Sequence, residues 1–457
     1  MPVAEKAKTG LAAIIPTPAN VRRITLLPYD EENELLDLIK IVASALKMFP
    51  PLYVQSIFGP IRTWIPPQKP LSEFTILDIW RFRRAASYLT AITVPSHSHA
   101  PGGWARTLLP VFIQHLFWRP SGYYQQTDPY ASVTSFLPER WFFLNGIATN
   151  QAVADMNSEM LSQMFRRPIT GIHNATNSFF FDLFECAVGK SFKTDPSLQN
   201  EQSLTEPAIK ATMALMDALR DQQVERIVWI CHSQGTIITA NVLRALANAF
   251  MAMEQEAQGI HSAASMLHEQ TEQFIYAFLK SEHCHFDLRN EQTIKTEMIK
   301  ILKKLEVYTF ANCANVMTYI THVELPSGEK VGLPYIENFA NRFDLVARLG
   351  VISPLNTPGN GLIKIDGPVY ERSNFLAWGH LLNQHYLYPM LPYLEDDSKR
   401  KPNPFTPTSP QWPTIPRLYG YFDGQTQPDV LNIEKAGDTP FLCMAPPLEH
   451  IDTAVDG

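Results

Sequence analysis

Charge is scarce in this chain. Only 18% of its 457 residues are Asp, Glu, Lys or Arg, against roughly 25% in ordinary globular domains. Glycine is also scarce, at 21 residues, which excludes a collagen-like repeat. The five cysteines, at 186, 231, 284, 313 and 443, are odd in number and thinly spread. They suggest neither a disulfide framework nor a paired zinc site. There is no run of 18 or more apolar residues, so no transmembrane helix is expected. The apolar run Leu11, Ala12, Ala13, Ile14, Ile15 stops at Pro16, too short for the core of a signal peptide. The net charge of −7 lacks the positive excess that phosphate contacts ask for, which speaks against a nucleic-acid partner. These absences lead to the expectation of an intracellular protein, cytoplasmic or peripherally attached to a membrane.

What is present argues for a large folded core. Hydrophobic residues reach 45% and aromatics 11%, too many for a disordered chain. Residues 1–138 form a first region, expected to be helical. Tyr29 to Met48 carries apolar residues at helical spacing, and a second helix is expected from Thr75, where Thr75-x-x-Asp78 resembles a capping box, to Ile92. Between 79 and 127 there are five arginines, no lysine, no acid and nine aromatics. The bland reading is a core-packing helix and loop; the functional reading is a surface that meets an anionic lipid interface. Residues 1–138 hold 13 Lys+Arg and 9 Asp+Glu, a net +4, which leaves −11 for the rest.

From 139 onward strands and helices alternate. RWFFLNGI (140–147), PITGIHN (168–174), RIVWIC (226–231), VYTFAN (307–312) and YIENFAN (335–341) read as strands. Residues 151–165, 179–188, 206–222 and 236–253 read as helices. That rhythm predicts an α/β fold with a mostly parallel sheet covered by helices on both faces. Residues 254–304 are charge-rich and read as a helical insertion within a core of 139–395. Eight prolines fall between Pro389 and Pro416, and 396–457 reads as a proline-rich tail wrapping the surface.

One segment carries a chemical signal. In RIVWICHSQGTIITANVLRAL a buried strand runs through Cys231 and His232 into Ser233, Gln234 and Gly235, then directly into a helix. A strand–turn–helix this tight strains the serine and brings strand and helix so close that residues two positions away must be small. Gly235 meets that need. Cys231 replaces the glycine expected upstream, but cysteine is small. The plain alternative is a helix that happens to begin with a serine cap.

A serine nucleophile needs a histidine base and an acid to orient it, in this architecture in the order Ser, acid, His. Asp344, just past YIENFAN, is the candidate acid; its plain alternative is the cap of the next helix. Asp366, in a Lys-Ile-Asp-Gly-Pro turn, is the runner-up. His380 and His385, in WGHLLNQHYL, are the candidate bases, with His380 favoured because it follows a glycine. An oxyanion site would use the N–H of Gln234 and that of Ile147 or Ala148, after the first strand of the α/β part.

These residues resemble the α/β-hydrolase superfamily, in particular its lipase-like serine esterases. The resemblance rests on LNGIATN, CHSQG, YTFAN, ENFANRFDLV and WGHLLNQHYL, and covers roughly 139–390. RFDLVARLGV and GHLLNQHYL are also similar to a group of fungal members. The resemblance implies an α/β-hydrolase fold and hydrolysis of carboxylic esters, lipid esters above all, by Ser233, Asp344 and His380. It implies no cofactor. Cys231 and residues 1–138 depart from the family pattern. Two other readings stay open: a catalytically silent scaffold that binds lipid or a protein partner, and an acyltransferase using the same acyl-enzyme. His283-Cys284-His285 and the pair His97 and His99 lack a second ligand pair, so no metal is expected.

Overall fold

A computed structural model describes residues 59, 69–77, 123–126, 138–146, 149, 151–174, 206–260, 267, 270–281, 290–326, 328–354, 356, 363–374, 377–396 and 401–431. The expected helices over 29–48 and 179–188, the paired histidines at 97 and 99, the 283–285 cluster and most of the 79–127 stretch lie outside them.

The elements follow in chain order. Strand β1 is Tyr123–Gln126, and β2 (Glu139–Leu144) leads into helix α1 (Gln151–Phe165) and β3 (Ile169–Ile172). Helix α2 (Glu206–Arg220), β4 (Arg226–His232) and α3 (Gln234–Ala257) come next, then α4 (Gln270–Lys280) and α5 (Glu291–Leu302). Strand β5 is Leu305–Phe310. Short β6 (Val316–Met317), β7 (Thr321–Glu324) and β8 (Lys330–Leu333) precede β9 (Tyr335–Asn341) and α6 (Leu345–Leu349). Strands β10 (Lys364–Ile365) and β11 (Val369–Arg372) follow. A π-helix, Leu382–Leu387, then runs into α7 (Tyr388–Leu394), and β12 is Thr406–Pro407.

Eight strands form the main sheet, in the order β1-β3-β2-β4-β5-β9-β11-β12. The six from β3 to β11 run parallel, and the two edge strands are antiparallel. The fold is therefore α/β with a mostly parallel sheet. Every residue of β5 and β9 is buried. Side chains of a strand alternate between faces, so both faces must be covered. Helix α3 is long and apolar enough by composition to cross a membrane, but 67% of its most apolar window is buried, as in a core helix.

Two expectations change. The helix expected from Thr75 is, where described, a 3-10 turn from Glu73 to Leu77. Ser72 starts it: its carbonyl accepts from Thr75 N–H and its Oγ from Phe74 N–H. The proline-rich segment is more than a surface wrap. β12 extends the sheet beside β11, and Leu418, Tyr419 and Tyr421 are buried in the core. Proline suits that place, because an edge strand spares one row of N–H groups.

Candidate active site

The first strand of the parallel set, β2, lies between β3 and β4. The chain moves outward from β2 to β3, then returns past β2 to build β4. Such a reversal opens a crevice at the C-terminal strand ends, where ligands bind in open α/β sheets. β2 and β4 are in register with Leu144 opposite Cys231, so the residues just beyond them, Asn145-Gly146 and His232-Ser233, face each other there.

Only Ser233 separates β4 from α3: the strand ends at His232 and the helix starts at Gln234. Ser233 absorbs the whole turn and adopts φ 57°, ψ −126°. Such a backbone costs a non-glycine residue about 1–3 kcal/mol and is tolerated where the surroundings impose it. The surroundings are tight. A Cβ on Gly235 would lie 2.5 Å from the Leu144 carbonyl oxygen, and one on Gly146 would lie 2.3 Å from Ser233 Cβ.

Cys231 fits the upstream position because its side chain points into the core. It shares a strand face with Trp229, whose Nε1 donates to Thr239 Oγ1 of α3 at 3.0 Å. The Cys231 thiol reaches the Tyr308 carbonyl at 3.8 Å. Burial pushes its pKa up to about 12, so it remains a thiol and a packing group.

Asp344 ends the turn after β9. Its two oxygens collect three donors. Oδ1 accepts the Val346 N–H at 2.8 Å, capping α6. Oδ2 accepts Tyr386 O–H at 2.6 Å and pairs with His380 Nδ1 at 2.8 Å. The carboxylate is thus both a helix cap and the partner of a histidine. Since Nδ1 faces a carboxylate, it carries the proton, and Nε2 presents its lone pair. Ser233 and His380 are 0% and 4% exposed. Among the described residues neither Ser233 Oγ nor His380 Nε2 has a hydrogen-bond partner.

His232 connects the elbow to the histidine segment. Its ring stacks on His380 with centroids 4.5 Å apart, and its Nε2 lies 2.8 Å from the His380 carbonyl oxygen. That oxygen accepts, so Nε2 carries the proton. Burial, and then the neighbouring His380, hold its pKa well below the usual histidine range. His385 has a different place. Its Nδ1 accepts the Leu381 N–H at 3.0 Å, and its ring meets the edge of Phe74. Asp366 accepts the Tyr319 N–H at 2.9 Å, a turn contact away from the pair.

Gln234 begins α3, at the positive end of the helix dipole. Its Oε1 accepts from Asn174 Nδ2 at 2.7 Å. Asn174 is in turn stitched to Asn145, whose Oδ1 accepts the Asn174 N–H at 2.7 Å. Ile147 and Ala148 lie outside the described residues. Among the described residues no cluster of His, Cys, Asp and Glu suits a metal ion.

Sequence reasoning missed Tyr386 and Asn174 as parts of this arrangement. Neither carried a local signal: the partner of Tyr386 is 42 residues away, and those of Asn174 are 29 and 60 residues away. No protein-family model, no curated protein and no solved structure matches this chain.

Proposed function

We propose that this chain is a serine hydrolase of the α/β-hydrolase type that cleaves carboxylic esters, lipid esters above all. The observation that carries the reading is the Asp344–His380 pair, whose histidine stacks on His232, the residue next to a serine held at positive φ between a strand and a helix. Ser233 Oγ attacks the ester carbonyl while His380 Nε2 takes its proton. Asp344 keeps the proton on Nδ1 and stabilises the imidazolium that forms. The N–H of Gln234 and one from Ile147 or Ala148 hold the developing oxyanion. His380 then returns the proton to the departing alkoxide, and water cleaves the acyl-enzyme by the same steps in reverse. Serine and histidine must come within hydrogen-bond reach for the transfer, a contact that often tightens only with substrate present. No step asks for a cofactor.

The test is a fluorophosphonate probe followed by intact-mass measurement. Wild type should gain one adduct and Ser233→Ala none; a folded wild type that gains no adduct would overturn the reading. The buried Ser233 favours a second reading, a silent scaffold that binds lipid or a protein partner. Turnover of short and long acyl esters would exclude it. Product analysis with a competing alcohol separates hydrolysis from acyl transfer. The basic, aromatic 79–127 stretch supports peripheral contact with an anionic membrane as the source of a lipidic substrate, and vesicle co-sedimentation tests that contact.

A further inference from the structure

His380 sits at the start of a segment that needs anchoring. The π-helix 382–387 follows it directly, and its first N–H groups have no acceptor within the helix. Three residues of the 69–77 strap, more than 300 positions away in the chain, hold it. Glu73 Oε1 accepts the Asn383 N–H at 2.7 Å, and Oε2 accepts the Gln384 N–H at 3.0 Å. Leu71 O accepts from Asn383 Nδ2 at 2.7 Å, and Ser72 Oγ donates to Gln384 Oε1 at 2.6 Å. The amide of Asn157 in α1, turned with its nitrogen toward the carboxylate, donates to Glu73 Oε1 at 3.1 Å.

We propose that Glu73 is a positioning residue for His380: its carboxylate clamps the Asn383 and Gln384 amides that open the histidine segment. The inference rests on the serine-hydrolase reading for its kinetic test. The three partners named above are all donors, an arrangement that suits an ionised carboxylate better than a protonated one. Burial opposes this and raises the Glu73 pKa to about 7, while the Asn383 and Gln384 amides and the charge of His380 pull it down. The other titratable neighbours on the histidine segment are Tyr388, which feels the Glu73 charge, and His385, whose ring meets Phe74. Helix α1 faces Glu73 with neutral Asn157.

The test uses the full chain with Glu73→Gln, which keeps the shape and removes the charge. Two readouts are followed: the second-order rate of fluorophosphonate labelling against pH, and the far-downfield proton signal of His380 Nδ1–H in histidine-labelled protein. The expected results are a labelling rate about tenfold lower above neutral pH and a displaced or broadened Nδ1–H signal. A folded Glu73→Gln with both unchanged overturns the proposal. If that variant does not fold, Glu73→Asp decides in its place, since it keeps the charge and shortens the reach to the two amides. A lower rate with a displaced signal supports the proposal, and an unchanged rate and signal overturn it. If wild type itself is not labelled, the hydrolase reading fails, and the Nδ1–H signal alone decides whether Glu73 positions His380.

Discussion

At the scale of the residue, Asp344 carries two duties that substitutions can separate. Asparagine keeps an oxygen for the Val346 N–H but presents an amide that cannot hold His380 in the same tautomer. Asp344→Asn should therefore lower the labelling rate by about 10^4-fold, the scale of losing the orienting acid, while the cap on the Val346 N–H is kept. Asp344→Ala should in addition lose about 1 kcal/mol of helix capping, read from urea denaturation. A variant Asp344→Asn that labels at the wild-type rate would remove Asp344 from the mechanism. Tyr386→Phe deletes one donor to the same carboxylate oxygen and should cost about 1–2 kcal/mol in the same denaturation experiment. Asp344 and His380 were legible in sequence as candidate partners because both follow recognisable turns. Tyr386 was not, because a tyrosine six residues past a histidine has no pattern of its own.

Elements meet in this molecule at points where backbone approaches backbone. The elbow exists because α3 starts where β4 stops, and Gly235 is the residue that lets Leu144 of β2 pass beside the helix. Gly235→Ala should force β2 and α3 apart, at about 1–3 kcal/mol of overpacking, seen as a lower urea midpoint. Strand β9 holds a second kind of stress. Glu337 is fully buried and accepts the N–H groups of Arg417 and Leu418 and the hydroxyl of Tyr335. Burial raises its pKa from 4.5 to about 7, against those donors. A carboxyl raised in the folded state adds stability below pH 4.5 that is lost as pH rises through about 7, on the order of 3 kcal/mol. Glu337→Gln removes this dependence. The wild-type melting temperature should therefore fall relative to the variant's from pH 5 to pH 8. A gap that stays constant would rule out Glu337 as a source of pH dependence.

Across the whole molecule, the strand ends opposite the candidate active site are closed by a buried ionic network. Glu139 pairs with Arg167 and Arg226, and Glu306 pairs with Arg226 and Arg417. Burial pushes the Glu306 carboxyl up, but Arg417, and then Arg226, outweigh it and hold it below the usual range. The same arginines grip the C-terminal segment by its carbonyls. Arg167 donates to Gly424 and Gln425, Arg226 to Gln427, and Arg417 to Pro428. Arg417→Met would leave part of that network unpaired in the interior, which costs about 3–5 kcal/mol. Urea denaturation should show a loss of that size, and a loss under 1 kcal/mol would mean the segment is held by its aromatics alone. Low charge, the first peculiarity of the sequence, acquires a location here: several of the few charges are spent inside, on the clamp.

The sequence alone determined the features that local physics encodes. Strand β9 and helix α1 have the bounds that their apolar patterns predict, β4 runs one residue further, through His232, and the strand–serine–helix junction was readable because it takes three adjacent residues to make. Only the tertiary structure decided that Asp344 reaches His380 rather than His385, that a strap near residue 73 holds the histidine segment, and that the proline-rich segment supplies the edge strand β12. The reason is distance along the chain. Periodicities of 2 and 3.6 residues report which face of an element is buried, whereas Glu73 and Asn383 are 310 positions apart, and nothing in either local pattern names the other as its partner.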